Sequence, residues 1–234
     1  MRAGLASMHS HPLLDRPIWN ALVTRQEPCA VIARLARRYR PEAAPFAAVE
    51  NLTSEAEADL CSIVQPGESV GLLAETPEFS SQWEVQKRVQ ICQMVCENPL
   101  PQTGQEPPMR RLTEEDIPAM LQLTELVYPA YFRPGTARLG AYFGIFAGDQ
   151  LCAMAGERMG MTGYQEISAV CTHPDFLGRG YAGSLVCHLT RLIAERGDVP
   201  FLHADEDNLR AISLYERIGF EHRRLIPFCV VKRA

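Results

Sequence analysis

No stretch of this 234-residue chain approaches the ~20 consecutive apolar residues that a membrane-spanning helix needs. The opening MRAGLASMHSHPLL also lacks the continuous apolar core of a signal peptide. Basic residues are in deficit, with 23 Lys and Arg against 28 Asp and Glu and a formal net charge of −5. That balance counts against a general nucleic-acid binder, whose phosphate contacts need a basic surface. Cysteine is not scarce, but a CxxC pair is missing: Cys29, Cys61, Cys92, Cys96, Cys152, Cys171, Cys187 and Cys229 are scattered. They read as buried free thiols in a reducing cytoplasm, and the spacing around Cys92 and Cys96 does not build a zinc site. A Walker-type GK[ST], a full GxGxxG fingerprint and internal repeats are absent too. What is present is ordinary for a globular protein, 47% hydrophobic and 22% charged residues. At about 150 residues per domain the length corresponds to roughly 1.6 domains.

The clearest composition break is ENPLPQTGQEPP, Glu97–Pro108, whose prolines deny both helix and interior strand. The organisation expected is therefore an N-terminal part over 1–97, a linker over 98–108 and a C-terminal domain over 109–234. In the N-terminal part, Glu27–Tyr39 sets Val31, Ile32, Leu35 and Tyr39 at helical spacing, with Arg34, Arg37 and Arg38 either binding phosphate or, as preferred, forming a solvated face. Glu84–Val95 fits strand or helix, and Trp19 and Trp83 read as core anchors.

The C-terminal part is more regular. Thr113 suits the cap of a helix through Asp116–Val127, with Pro118 in its first turn. Gly140–Ala147 and Gln150–Met159 read as strands joined at Gly148-Asp149, and Thr162-Gly163 turns the chain into a third strand, Tyr164–Thr172. An amphipathic helix follows at Tyr181–Arg196, then strand Val199–Ala204, helix Asn208–Ile218 and strand Arg223–Lys232. The order predicts an α/β fold, a mixed sheet with helices on its faces.

The informative segment is VCTHPDFLGRGYAGSL, where a strand meets a glycine-rich turn that opens into a helix. The amides of Gly178 through Ala182 would converge at a helix N-terminus, a site that favours an anion such as pyrophosphate, with Arg179 at its rim. LGRGYA in this context resembles the acetyl-CoA loop of the GNAT superfamily of N-acetyltransferases. Gly180 and Ala182 match the small positions, and Leu177 stands where Gln or Arg is usual, which leaves the backbone amides as the cradle. Downstream, NLRAISLYERIGF, Asn208–Phe220, is similar to the family's last-helix motif. AMAGERM, EISAVCTHP and FLHADEDN also look like the branch holding the glycine N-acyltransferase-like proteins, in which the N-terminal part is commonly a degenerate domain of similar shape.

The resemblance implies a GNAT-type fold and an N-acetyltransferase that moves the acetyl group of acetyl-CoA to a primary amine of a small molecule or peptide, by direct attack. It assigns Tyr215 as the general acid near the CoA sulfur, against a structural role as an aromatic anchor. Asn208 resembles the residue that bonds the pantetheine arm, and as plain chemistry it also suits an N-cap. Glu166 is the candidate base, with a salt bridge to Arg158 as its structural alternative; His173 and His203 rank below it. Val170, Cys171 and Thr172 would offer backbone groups to pantetheine, and Leu177, Gly178, Arg179, Gly180, Tyr181 and Ala182 would hold the phosphates. Cys171 reads as a buried small hydrophobe rather than a nucleophile. No metal, nucleic acid or membrane is expected, and a homodimer is left open. Two alternatives stand: a longer-chain acyl-CoA:amino-acid N-acyltransferase and a non-catalytic acyl-CoA-binding module. The loop Val127–Leu139, with Tyr128, Tyr131, Phe132, Arg133 and Arg138 in or beside it, either holds an anionic or carboxylate-bearing acceptor or packs on the N-terminal part, the second being preferred.

Overall fold

The computed structural model describes residues 11–76, 78–101, 106–129 and 131–234. The chain starts with a short helix, α1 (Pro17–Leu22), and a small antiparallel sheet of β1 (Ala30–Ile32), β2 (Ala36–Tyr39) and β3 (Ala47–Val49). Helix α2 (Ser54–Ile63) begins where the Thr53 hydroxyl accepts from the Ala56 amide. Strands β4 (Ser69–Leu73), β5 (Trp83–Val95) and β6 (Arg110–Arg111) follow. Helix α3 (Ile117–Val127) is led in by a turn in which Thr113 and Asp116 form a capping box, with Arg110 holding the Asp116 carboxylate. Then come β7 (Tyr142–Ala147), β8 (Gln150–Met161), β9 (Tyr164–Thr172), α4 (Tyr181–Glu195), β10 (Val199–Asp205), α5 (Leu209–Ile218) and β11 (Glu221–Arg233).

Eight strands form one sheet in the order β4-β11-β5-β10-β9-β8-β7-β6, antiparallel except for β9 against β10. This is the mixed α/β sheet expected from the C-terminal pattern. One of its faces is covered by α4 and α5, whose Leu185, Leu189, Ile193 and Ile218 pack on Met94, Ile167 and Leu202. The opposite face is covered by α1 and the small sheet, through Leu14, Ile18, Tyr39 and Phe46 on Val95, Met159, Phe201 and Phe228. All eight cysteines are free. No helix among the described residues is long and apolar enough to cross a membrane.

Two expectations for the N-terminal part need correction. Glu27–Tyr39 is not a helix: after a turn at Glu27–Cys29 it forms β1 and β2, with Ala30 opposite Tyr39 and Arg38 opposite Ala47. The β-branched Val31 and Ile32 suit a strand, and pairing to β3 satisfies β2 along its other edge. Arg38 is consequently not solvated but about 1% exposed, donating both terminal nitrogens to the Glu68 carboxylate at 2.5–2.6 Å. The composition break at Glu97–Pro108 does not divide the sheet either. Strand β5, from before the break, lies between β10 and β11, and it resolves Glu84–Val95 as strand. The first hundred residues therefore complete the sheet and cover one face of it.

Candidate active site

The site lies where β9 and β10 part. They pair in parallel from Tyr164 and Val199 up to Ile167 and Leu202, and no further. Just beyond, Ala169 takes φ 50 and the β8–β9 register shifts, a bulge that turns β9 away from its neighbour. The β10-facing edge of Ser168–Thr172 is left without a strand partner among the described residues. A cavity of about 460 Å³ fills the opening, bordered by Ser168, Ala169 and Val170 from β9 and by His203, Ala204 and Asp205 from β10.

At the end of β9 the chain runs through the glycine turn into α4. Gly178 and Gly180 have φ of +79° and +77°, a left-handed backbone that L side chains rarely adopt. That conformation aims the amides of Gly178 through Ala182 outward, and none meets an acceptor among the described residues. Unpaired amides at a helix N-terminus, with the α4 dipole behind them, have the chemistry that suits an anion. The Arg179 guanidinium sits 4.7 Å from the Phe176 ring centre at the rim, and the Leu177 side chain is exposed.

Helix α5 closes the cavity from the α4 side. Its Asn208 accepts from the Ala211 amide at 3.1 Å, the N-cap geometry, while also lining the cavity. About two turns along, Tyr215 borders the cavity with its ring against Phe220. Burial, with Tyr128 close by, pushes the Tyr215 hydroxyl up to about 12, so it keeps its proton at neutral pH. Cys171 is buried beside Met154, and burial pushes its thiol to about 12 as well.

Glu166 has a different setting from the one a base would need. It is fully buried, and its oxygens take Arg158 Nε at 2.8 Å, Arg158 Nη2 at 2.7 Å, His203 Nδ1 at 2.8 Å and the Met159 amide at 3.2 Å. Burial alone would raise this carboxyl, but the Arg158 charge and the bonds from Arg158 and His203 hold it at about 2. The arrangement is the salt-bridge alternative, not a free base. His203 is equally committed. The Gln93 amide oxygen takes Arg223 Nη1 at 2.6 Å, so the Gln93 nitrogen faces His203 Nε2 at 3.0 Å and Nδ1 carries the proton toward Glu166. His173, at the end of β9, accepts from the Asp175 amide and packs edge-on against Phe176.

The far wall of the cavity was not foreseen as a unit. It is built by Phe46, Leu73, Lys87 and Ile91 from the first hundred residues, by Tyr128 and Tyr131 after α3, and by Phe228 of β11. The aromatic content of Val127–Leu139 was the one local hint. Elsewhere that loop is a connection, with Gly135 and Thr136 bonded to Glu42 and Ala43 backbone oxygens and Arg138 paired to Glu114. A second cavity of about 480 Å³, beside Trp19 and Arg224, shares Leu73 with this wall and none of its other residues. Among the described residues no cluster of three or more His, Cys, Asp or Glu is arranged to hold a metal.

Comparison with known proteins finds the same fold elsewhere. The family model described as FR47-like protein matches residues 142–226, which span β7 to the first half of β11. A crystal structure from Novosphingobium aromaticivorans, assigned to the GNAT family of acetyltransferases, is 35% identical over 96% of this chain and 100% of that one, with a TM-score of 0.87. A GCN5-related N-acetyltransferase from Kribbella flavida shares the fold at 15% identity and a TM-score of 0.60, over 94% of both chains. A GCN5-related N-acetyltransferase-like protein from Streptococcus suis does so at 13% and 0.57, over 97% and 95%.

Proposed function

The chain belongs to the GNAT family of acetyltransferases, and on that premise we propose that it transfers the acetyl group of acetyl-CoA to a primary amine of a small molecule or peptide within a ternary complex. Family and fold carry acyl transfer from an acyl-CoA. The acetyl group, the amine and the residue roles are the proposal. The observation that supports it best is the unpaired β9 edge, lying between an open helix N-terminus and a buried, protonated Tyr215.

The pyrophosphate of CoA occupies the amide cradle of Gly178–Ala182, with Leu177, Arg179 and Tyr181 around it. Pantetheine runs along Val170, Cys171 and Thr172 like an added strand, and Asn208 borders its path. A backbone N–H on that edge polarises the thioester carbonyl. The neutral amine attacks this carbon, the C–N bond forms and the C–S bond breaks. Tyr215 gives its proton to the sulfur and regains one from the nitrogen, so the enzyme ends as it began. Glu166 acts as a positioning residue that holds Arg158 and His203, and the direct route leaves the Cys171 thiol unused.

Calorimetry with acetyl-CoA, followed by thiol release over a panel of amines, tests the reading. Tyr215→Phe is expected to lower kcat about a hundredfold while leaving the KM for acetyl-CoA near its original value. Unchanged kcat removes the acid assignment, and failure to bind acetyl-CoA removes the function.

A further inference from the structure

The wall of the cavity opposite α5 is unusually aromatic. Phe46 and Tyr131 stack at 6.1 Å with their planes 6° apart, and Phe228 meets both, at 6.4 Å and 6.3 Å. Tyr128 stacks on Tyr131 at 6.2 Å. Leu73, Ile91 and Met159 line the same cavity. Two cations reach this surface from the sheet: Lys87 of β5, an exposed residue, and Arg158 of β8, which lies 4.9 Å from the Phe46 ring centre. The Arg158 charge is already met by the bidentate bond to Glu166. The wall thus presents flat apolar area with its nearest buried charge neutralised.

The position of the rings is set from behind. A Cβ on Gly71 would come within 2.8 Å of the Phe228 ring and 3.1 Å of Phe46, so glycine there lets both rings lie back from the cavity. On the mechanism above, the thioester carbon lies between Val170 and Tyr215, and the aromatic wall faces it across the opening.

Resting on that reading, we propose that the acceptor is a primary amine carrying an aromatic or bulky apolar group, which packs on Phe46, Tyr131 and Phe228 while its nitrogen reaches the thioester. The first hundred residues thereby set acceptor specificity, because Phe46, Leu73 and Ile91 supply half the wall and Gly71 sets its depth. Burial of a phenyl group is worth roughly ten- to a hundredfold in kcat/KM.

Thiol release with acetyl-CoA is measured for 2-phenylethylamine, ethylamine and spermidine, each corrected to the neutral amine, and octanoyl-CoA is run with ethylamine in parallel. The expected result is a kcat/KM for 2-phenylethylamine at least tenfold above the other two amines. Gly71→Ala, which pushes the rings forward, is expected to erase most of that preference while sparing ethylamine turnover and acetyl-CoA binding. Tyr131→Ala, at a half-buried ring, gives a second route to the same loss should Gly71→Ala fold poorly. Equal or better turnover of ethylamine or spermidine overturns the proposal. So does octanoyl-CoA with ethylamine outrunning acetyl-CoA with 2-phenylethylamine, since the wall would then be holding the acyl chain. Acetyl-CoA binding without turnover of any of these amines also counts against it, whereas loss of acetyl-CoA binding itself strikes the function proposed above.

Discussion

Replacing Glu166 with glutamine separates a positioning role from a basic one. The Glu166 carboxylate has no exposed surface, and the Arg158 side chain it binds is 13% exposed. With His203 neutral, the cluster sums to zero charge. Glutamine keeps the size but removes the negative charge and turns an N–H₂ toward groups that already donate. Removing one partner of a buried pair costs about 3–5 kcal/mol, because the other charge stays buried and unpaired. For a chain of this size that corresponds to a fall in Tm of about 6–20 °C.

The same figure follows from acid titration. The carboxyl moves from 4.5 to about 2 on folding, which corresponds to about 3 kcal/mol by linkage. Because the folded value is the lower one, this stability is fully present above pH 4.5 and is lost as pH falls toward 2. The wild-type protein should therefore lose about that much more across the window than Glu166→Gln, in which only the other paired carboxylates, such as Glu68 and Asp116, still titrate. Urea unfolding at pH 7 and at several points down to pH 3 reads both effects. The double variant Arg158→Met/Glu166→Leu should be less destabilised than Glu166→Gln alone, since no charge is stranded. A Glu166→Gln protein with unchanged Tm and a lost activity limb near neutral pH would refute the reasoning, because the carboxylate would then be free to take a proton.

Gly180→Ala forces a side chain into φ +77° where no neighbouring atom lies within 4 Å, so backbone strain is the whole cost. A loss of about 1–2 kcal/mol in thermal unfolding and a weaker acetyl-CoA Kd by calorimetry are expected, and no change in either would show that the turn is not held in this shape. The buried Cys171 thiol should resist iodoacetamide at pH 8 in the folded protein, and Cys171→Ala should retain turnover. An acyl-cysteine at this position, trapped and found by mass spectrometry, would replace direct transfer with a two-step route.

What could be read from the chain follows from how far each determinant reaches. The glycines at 178 and 180, the Asn208 cap and the apolar spacing of Tyr181–Glu195 act within a turn or two of where they stand, so the cradle and both helices of that face were visible. The Arg158–Glu166 pair was visible as an alternative because the turn at Thr162-Gly163 brings the two residues opposite each other in one hairpin. Nothing local distinguishes it from a free carboxylate, however. That depends on His203 arriving from β10 and on Gln93 and Arg223 fixing its tautomer from β5 and β11. Glu27–Tyr39 failed for a related reason: strands of three and four residues are too short to show a period of two, while four apolar residues imitate a helical face. The aromatic wall is the extreme case. Phe46, Tyr131 and Phe228 come from three distant parts of the chain; Phe46 and Phe228 meet because β11 pairs with β4 and Phe46, just before β3, bridges to Gly71 of β4. On the proposed reading, the acyl-donor contacts fall within about fifty consecutive residues, whereas the acceptor wall is assembled by the closure of the sheet.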